Sequence, residues 1–208
     1  MDFFLLTLLA AVFAWWLKSR GDRARITLLA THLRPFDIEK LMETLSEGYM
    51  RALGEQDPQR QQAIWTLLAP SEQKMAEQLG QLAQDFARLD EAQTRVMRPD
   101  WPVSALLQLL GRAFPAWPKR HSVDMRALLT LHAQALARAV QATGGSPSTR
   151  AFTLLAELML MQHSCHWFCK SRHVASARLI LRHQTPYEKV LASVAPETRR
   201  AYQALSGV

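Results

Sequence analysis

Four residues in one short stretch are of the types that soft metal ions bind: Cys165, His166, Cys169 and His173. Thiolate and imidazole suit zinc or a copper-group ion. On a helix at about 100° per residue, His166, Cys169 and His173 fall within about 60° of one another, and Cys165 lies about 40° beyond Cys169. One helix presents its side chains in a row, however, whereas tetrahedral zinc needs ligands around the ion. A second element would have to complete the set, with His183, His132 or His121 as the available donors. The competing use is packing, because free cysteines behave as small apolar groups. Both cysteines neighbour Trp167 and Phe168, directly after the apolar run Leu154–Met161. Core packing is the expectation. A metal- or haem-binding centre at Cys165, His166, Cys169 and His173, with zinc as the ion, is the alternative.

A second oddity is Glu157, a lone carboxylate inside Leu-Leu-Ala-Glu-Leu-Met-Leu-Met. Buried carboxylates are paired or titrate high. An ion pair with an arginine of another helix, or a solvated stripe, is expected for it. Patterns of known catalytic mechanics are missing: no phosphate-binding Gly-rich loop, no G-x-S-x-G, no H-E-x-x-H and no C-x-x-C. With eight glycines in all, a nucleotide cradle of backbone amides has little to be built from. The expectation is a protein without catalytic residues or a cofactor, not an enzyme.

Charge is more informative. The net charge of +7 is unevenly placed. Residues 1–25 carry four basic and two acidic residues, residues 26–118 nine basic and twelve acidic, and residues 119–208 twelve basic and four acidic. The three nets are therefore +2, −3 and +8, which sum to the +7 of the whole chain. Such asymmetry points to an acidic partner. Arginine suits that task because its planar fork meets a carboxylate bidentately. Arg172, Arg178, Arg182, Arg199 and Arg200 are the candidate partner-binding residues, although their helical angles are scattered. Nucleic acid is not the expected partner, since no homeodomain, zinc-finger or RNP-like pattern accompanies the charge.

The elements that must position these residues read as helices almost throughout. Phe3 to Leu17 is apolar except for Thr7 and ends on Trp15-Trp16-Leu17-Lys18. Lys18, Arg20, Arg23 and Arg25 follow, placed to meet anionic headgroups. Fifteen helical residues span roughly 22 Å, short of a hydrocarbon core of about 30 Å, but the Trp pair and the snorkelling stems of Lys18 and Arg20 extend the reach. Val12-Phe13-Ala14 would serve a signal peptidase, yet the segment before the apolar run carries no Lys or Arg. The order of charges favours an uncleaved single-pass anchor, N-terminus out, with the bulk cytoplasmic at the inner membrane.

Helices are expected near 2–19, 22–33, 37–54, 58–69, 72–97, 103–113, 123–143, 148–183, 186–194 and 197–205, the 148–183 segment breaking around Lys170–His173. Asp57-Pro58 and Ser146-Pro147 read as N-caps before proline at N1, Ser71 as the start of the 72–97 helix, and Thr185…Glu188 as a capping box. Met75, Leu79, Leu82, Phe86, Leu89, Gln93 and Val96 form a heptad seam. No stretch alternates long enough for a sheet. The expected fold is all-α: residues 1–20 as membrane anchor, an acidic helical part at 21–114 and a basic one at 119–208, compatible with one compact domain over 21–208. The expected role is a non-enzymatic interaction module, a subunit of a secretion, conjugation or assembly machine.

Overall fold

The computed structural model describes residues 2–98, 121–142 and 144–207. The expected 103–113 helix, the loops holding Trp101 and Trp117, and the boundary between the acidic and basic parts lie outside the described residues. Nine helices and one short antiparallel ladder are found among those described.

Helix α1, Asp2–Leu33, is continuous. The expected break near Gly21 does not occur, because Leu29 and its neighbours Leu28 and Leu33 join the core while the backbone before them stays helical. The apolar stretch from Phe4 to Leu17 projects from the domain, and α1 is long and apolar enough to cross a membrane. Where α1 meets the domain, buried Asp22 is held by Arg25 at 2.7 Å, Lys18 at 3.4 Å and Lys170 at 3.6 Å.

Helices α2 (Ile38–Gly54) and α3 (Pro58–Ala87) form a hairpin. Asp57 caps α3 by accepting from the Gln59 amide. The expected corner at Ala69-Pro70 is absent, and Pro70 sits within α3. Proline inside a helix forfeits one backbone hydrogen bond. Here the continuous helix keeps Trp65 and Leu68 on the same buried face as Glu72, Met75, Leu79, Leu82 and Phe86, which outweighs that loss. Ser71 is accordingly not a cap. The two helices cross closely at Gly48, where a Cβ would meet the Leu68 side chain at 2.5 Å.

The heptad seam holds only as far as Phe86. Beyond Ala87 the chain turns, Asp90 caps the one-turn helix α4 (Glu91–Thr94), and Val96 lies on a strand. Strand β1 (Arg95–Met97) pairs antiparallel with β2 (Ser122–Asp124), Val96 opposite Val123. A three-residue ladder is too short to show in an alternation pattern, so the expectation of no strand fails here and the fold is nearly, not wholly, all-α.

Asp124 then caps α5 (Met125–Gln141). Ser146 caps α6 (Pro147–Cys169), and α7 (Arg172–His183), α8 (Tyr187–Ser193) and α9 (Pro196–Ser206) complete the chain. Thr185 does not form the expected capping box. Its hydroxyl donates to the His183 carbonyl, and Pro186 occupies the cap position of α8. α3 packs most extensively on α5, and α6 runs through the centre, touching α1, α2, α5, α7 and α8. One buried apolar cluster extends from Leu29 to Tyr202.

Candidate functional site

The site is built where α6 ends. Lys170 leaves helical geometry (φ −133°, ψ −87°), and the Ser171 hydroxyl accepts from the Val174 amide to start α7. α7 then runs back along α6, as the pairs His166–Arg178, His163–Ser176 and Gln162–His183 record. This break, in the expected place, decides the fate of the Cys/His stretch. Cys165, His166 and Cys169 stay on the last turns of α6, while exposed His173 is carried onto the first turn of α7. No three His, Cys, Asp or Glu side chains come together as a metal-holding group among the described residues. Burial pushes the Cys165 thiol up to about 12, helped by Cys169 and Glu39, and burial also raises Cys169 against the charges of Arg25, Arg178 and Lys170. Thiolate is the metal-binding form, so this environment works against the alternative reading.

The five candidate arginines separate. Arg172 lies over the Tyr187 ring, 5.1 Å from its centroid, a cation–π contact within the fold. Arg200 faces Glu197 at 3.9 Å in solvent, and Arg199 is half-buried on α9. Arg178 and Arg182 come together. One turn apart on α7, they line an open cavity of about 300 Å³ with Gln162, His166, Leu179 and Leu181. Neither forms an ion pair among the described residues. The Arg178 Nη1 donates to His166 Nδ1 at 2.9 Å. Guanidinium is donor-only, so His166 is neutral and carries its proton on Nε2. Burial, then the charges of Arg178 and Arg182, push His166 down to about 4. The arrangement can bind anions; it holds no nucleophile and no poised base.

No protein-family model, curated protein or solved structure matches this chain.

Sequence reasoning missed a polar network in the core, to which five helices each contribute. His132 of α5 contacts the Ser164 hydroxyl at 2.8 Å, and His163 contacts Ser176 of α7 at 3.1 Å. The His163 ring packs on Tyr187 of α8 at 4.6 Å, and His132 on Tyr202 of α9 at 5.9 Å. The first pair resembles a serine nucleophile with its base, but the proton runs the wrong way. Ser164 donates to the Leu160 carbonyl at 3.0 Å, so His132 Nε2 must donate to Ser164. Both residues are also sealed from solvent. Burial drives His132 and His163 down to about 3. The sequence traces were His132 at core spacing from Leu128, Leu129 and Leu136, and His163-Ser164 directly before Cys165.

Glu157 is neither ion-paired nor solvated, contrary to expectation. Its Oε1 accepts from the Ala195 amide at 3.1 Å, so the buried carboxyl caps α9 from α6. Burial raises its pKa, against the Thr198 hydroxyl, the Ala195 amide and the distant charge of Arg138.

Proposed function

We propose that this chain is a membrane-anchored, non-enzymatic docking module. In this reading α1 holds it in a bacterial inner membrane, N-terminus outside and bulk cytoplasmic. The basic C-terminal part engages an acidic partner, as a subunit of a multi-protein envelope machine for secretion, conjugation or assembly. The carrying observation is that the positive charge of that part is only partly compensated internally, Arg150 by Glu72 and Lys170 by Asp22. Asp124 is taken by Arg126, Glu157 is buried, and Glu197 faces Arg200. Arg178 and Arg182 are left side by side without a carboxylate among the described residues. Two neighbouring guanidinium groups repel each other, and a partner carboxylate relieves that repulsion while offering bidentate geometry.

The anchor supports the same reading. The Ala14 of the possible cleavage site lies within a continuous helix whose later turns belong to the domain core. Of the charges facing the headgroups, Lys18 and Arg25 are engaged with Asp22 and Arg20 lies over Trp16 at 5.6 Å. Exposed Arg23 is the cation best placed for anionic lipid.

The test is recovery of tagged full-length protein from native membranes in mild detergent, with mass spectrometry of what accompanies it. A stoichiometric set of other proteins, released by salt, is expected. Clean recovery of the lone chain would overturn the subunit role.

A further inference from the structure

The groove between α6 and α7 has features that a merely basic surface lacks. Its floor is buried Leu179, its wall is Gln162 and half-buried His166, and its rim is Arg178 and Arg182. Between the two arginines in sequence stand Ile180 and Leu181, exposed to 53% and 84%. A cation in the last turn of α7, such as Arg182, suits the helix dipole. That effect accounts for neither an open apolar rim nor the fixed aim of Arg178. His166 supplies that aim by accepting one guanidinium N–H, which leaves the other donors of the fork to a ligand.

The far end of the groove, at Leu181 and Arg182, lies away from the junction with α1. Lys170, at the turn into α7, is held at Asp22 where α1 enters the domain, and α7 runs back along α6 from there. Leu181 is nine residues past Arg172, roughly 14 Å farther along the helix. A protein segment is therefore a better fit than a lipid headgroup, and apolar rim residues beside the cations disfavour nucleic acid.

We propose that the α6–α7 groove is where the acidic partner docks. Arg178 and Arg182 each take a carboxylate of an acidic peptide segment, Leu181 covers an apolar side chain between those carboxylates, and His166 is the positioning residue that aims Arg178. This rests on the docking role argued above and narrows it to one surface and one class of ligand.

The experiment uses the full chain in mild detergent and a fluorescent glutamate-rich peptide carrying a single leucine. Binding is expected to weaken as salt rises. Reversal of both groove arginines, R178E/R182E, is expected to cut affinity at least tenfold. An equal charge change on exposed arginines of the acidic part, R60E/R88E, is expected to leave it within twofold. His166→Ala should lower affinity several-fold, whereas His166→Gln, which still offers an acceptor, should restore most of it. Equal losses in the two double variants, or a loss produced only by R199E/R200E, would overturn the groove. So would unchanged peptide binding in R178E/R182E accompanied by loss of binding to vesicles of anionic lipid. Failure of the docking role is told apart by the membrane preparation. Partners that stay bound to R178E/R182E leave that role standing and remove the groove, whereas a lone chain that binds the peptide through Arg178 and Arg182 keeps the groove and removes the subunit.

Discussion

Arg150 Nη2 lies 2.6 Å from Glu72 Oε2, joining α6 to the middle of α3 across 78 positions of sequence. The other oxygen of Glu72 accepts from the Tyr49 hydroxyl at 3.0 Å, so three helices meet on one buried carboxylate. Glu72→Ala leaves the guanidinium and the phenol without their partner. Removing one member of a buried pair costs about 3 kcal/mol or more, and partial exposure of Arg150 holds the loss to the lower end. Thermal unfolding of the variant should show it, and Glu72→Met with Arg150→Met should recover most of the stability.

Gly48→Ala tests the α2–α3 crossing. The new methyl meets Leu68, and overpacking of this kind costs about 1–3 kcal/mol. The cost should shrink when Leu68 is first cut to Ala, so a double-mutant cycle read by chemical denaturation should be non-additive.

Acid should loosen the core well before the carboxylates titrate. His132 and His163 titrate at about 3 in the folded chain, below the ordinary imidazole value of about 6.5. A depressed folded value means that their contribution is fully present above about pH 6.5 and is lost as the pH falls toward 3. Each should remove on the order of 1 kcal/mol per pH unit within that window. Glu157 acts with the opposite sign, its raised carboxyl favouring the folded state at low pH, but one carboxyl does not offset two histidines. Denaturant titrations from pH 7 to 4 should show the slope, and His132→Gln should roughly halve it.

The thiols should be slow nucleophiles in the native state. With Cys165 at about 12, roughly one molecule in ten thousand carries its thiolate at pH 8. Intact-mass analysis with iodoacetamide should find Cys165 unmodified while folded and modified promptly in denaturant. Rapid alkylation of the native chain would contradict the packing of α6.

Asp22→Ala should loosen α1 from the domain without unfolding α5 to α9. Lys18, Arg25 and Lys170 would then repel around an apolar methyl, and hydrogen exchange at residues 18–25 should rise by an order of magnitude or more.

Much of the helical layout was legible because its start signals are local. Asp57-Pro58 and Ser146-Pro147 hold their caps, and the break at Lys170–His173 falls where expected. At Gly21 and Pro70 a local breaker was overruled by apolar side chains that had to reach the same core, whereas at Thr185 the hydroxyl is taken by the His183 carbonyl. The Val96–Val123 pairing depends on residues 27 positions apart, which no window of sequence displays. The site was half legible. Arg178 and Arg182 were named among five arginines of scattered helical angle, but which of them share a face, and the aim of Arg178, depend on His166 arriving from another helix. The His132–Ser164 and His163–Ser176 contacts were hidden for the same reason, since each joins one residue of α6 to a partner on another helix.

The unbroken course of α1 has a mechanical meaning. A helix of 32 residues without a hinge is a shaft about 48 Å long, clamped to the domain at Asp22 and Leu29. A change of 10° in the tilt of its apolar end swings a point roughly 14 Å into the domain by about 2 Å. Any neighbour that leans on the membrane-side end of this helix therefore moves the α6–α7 groove as a rigid lever would, with no rearrangement inside the domain.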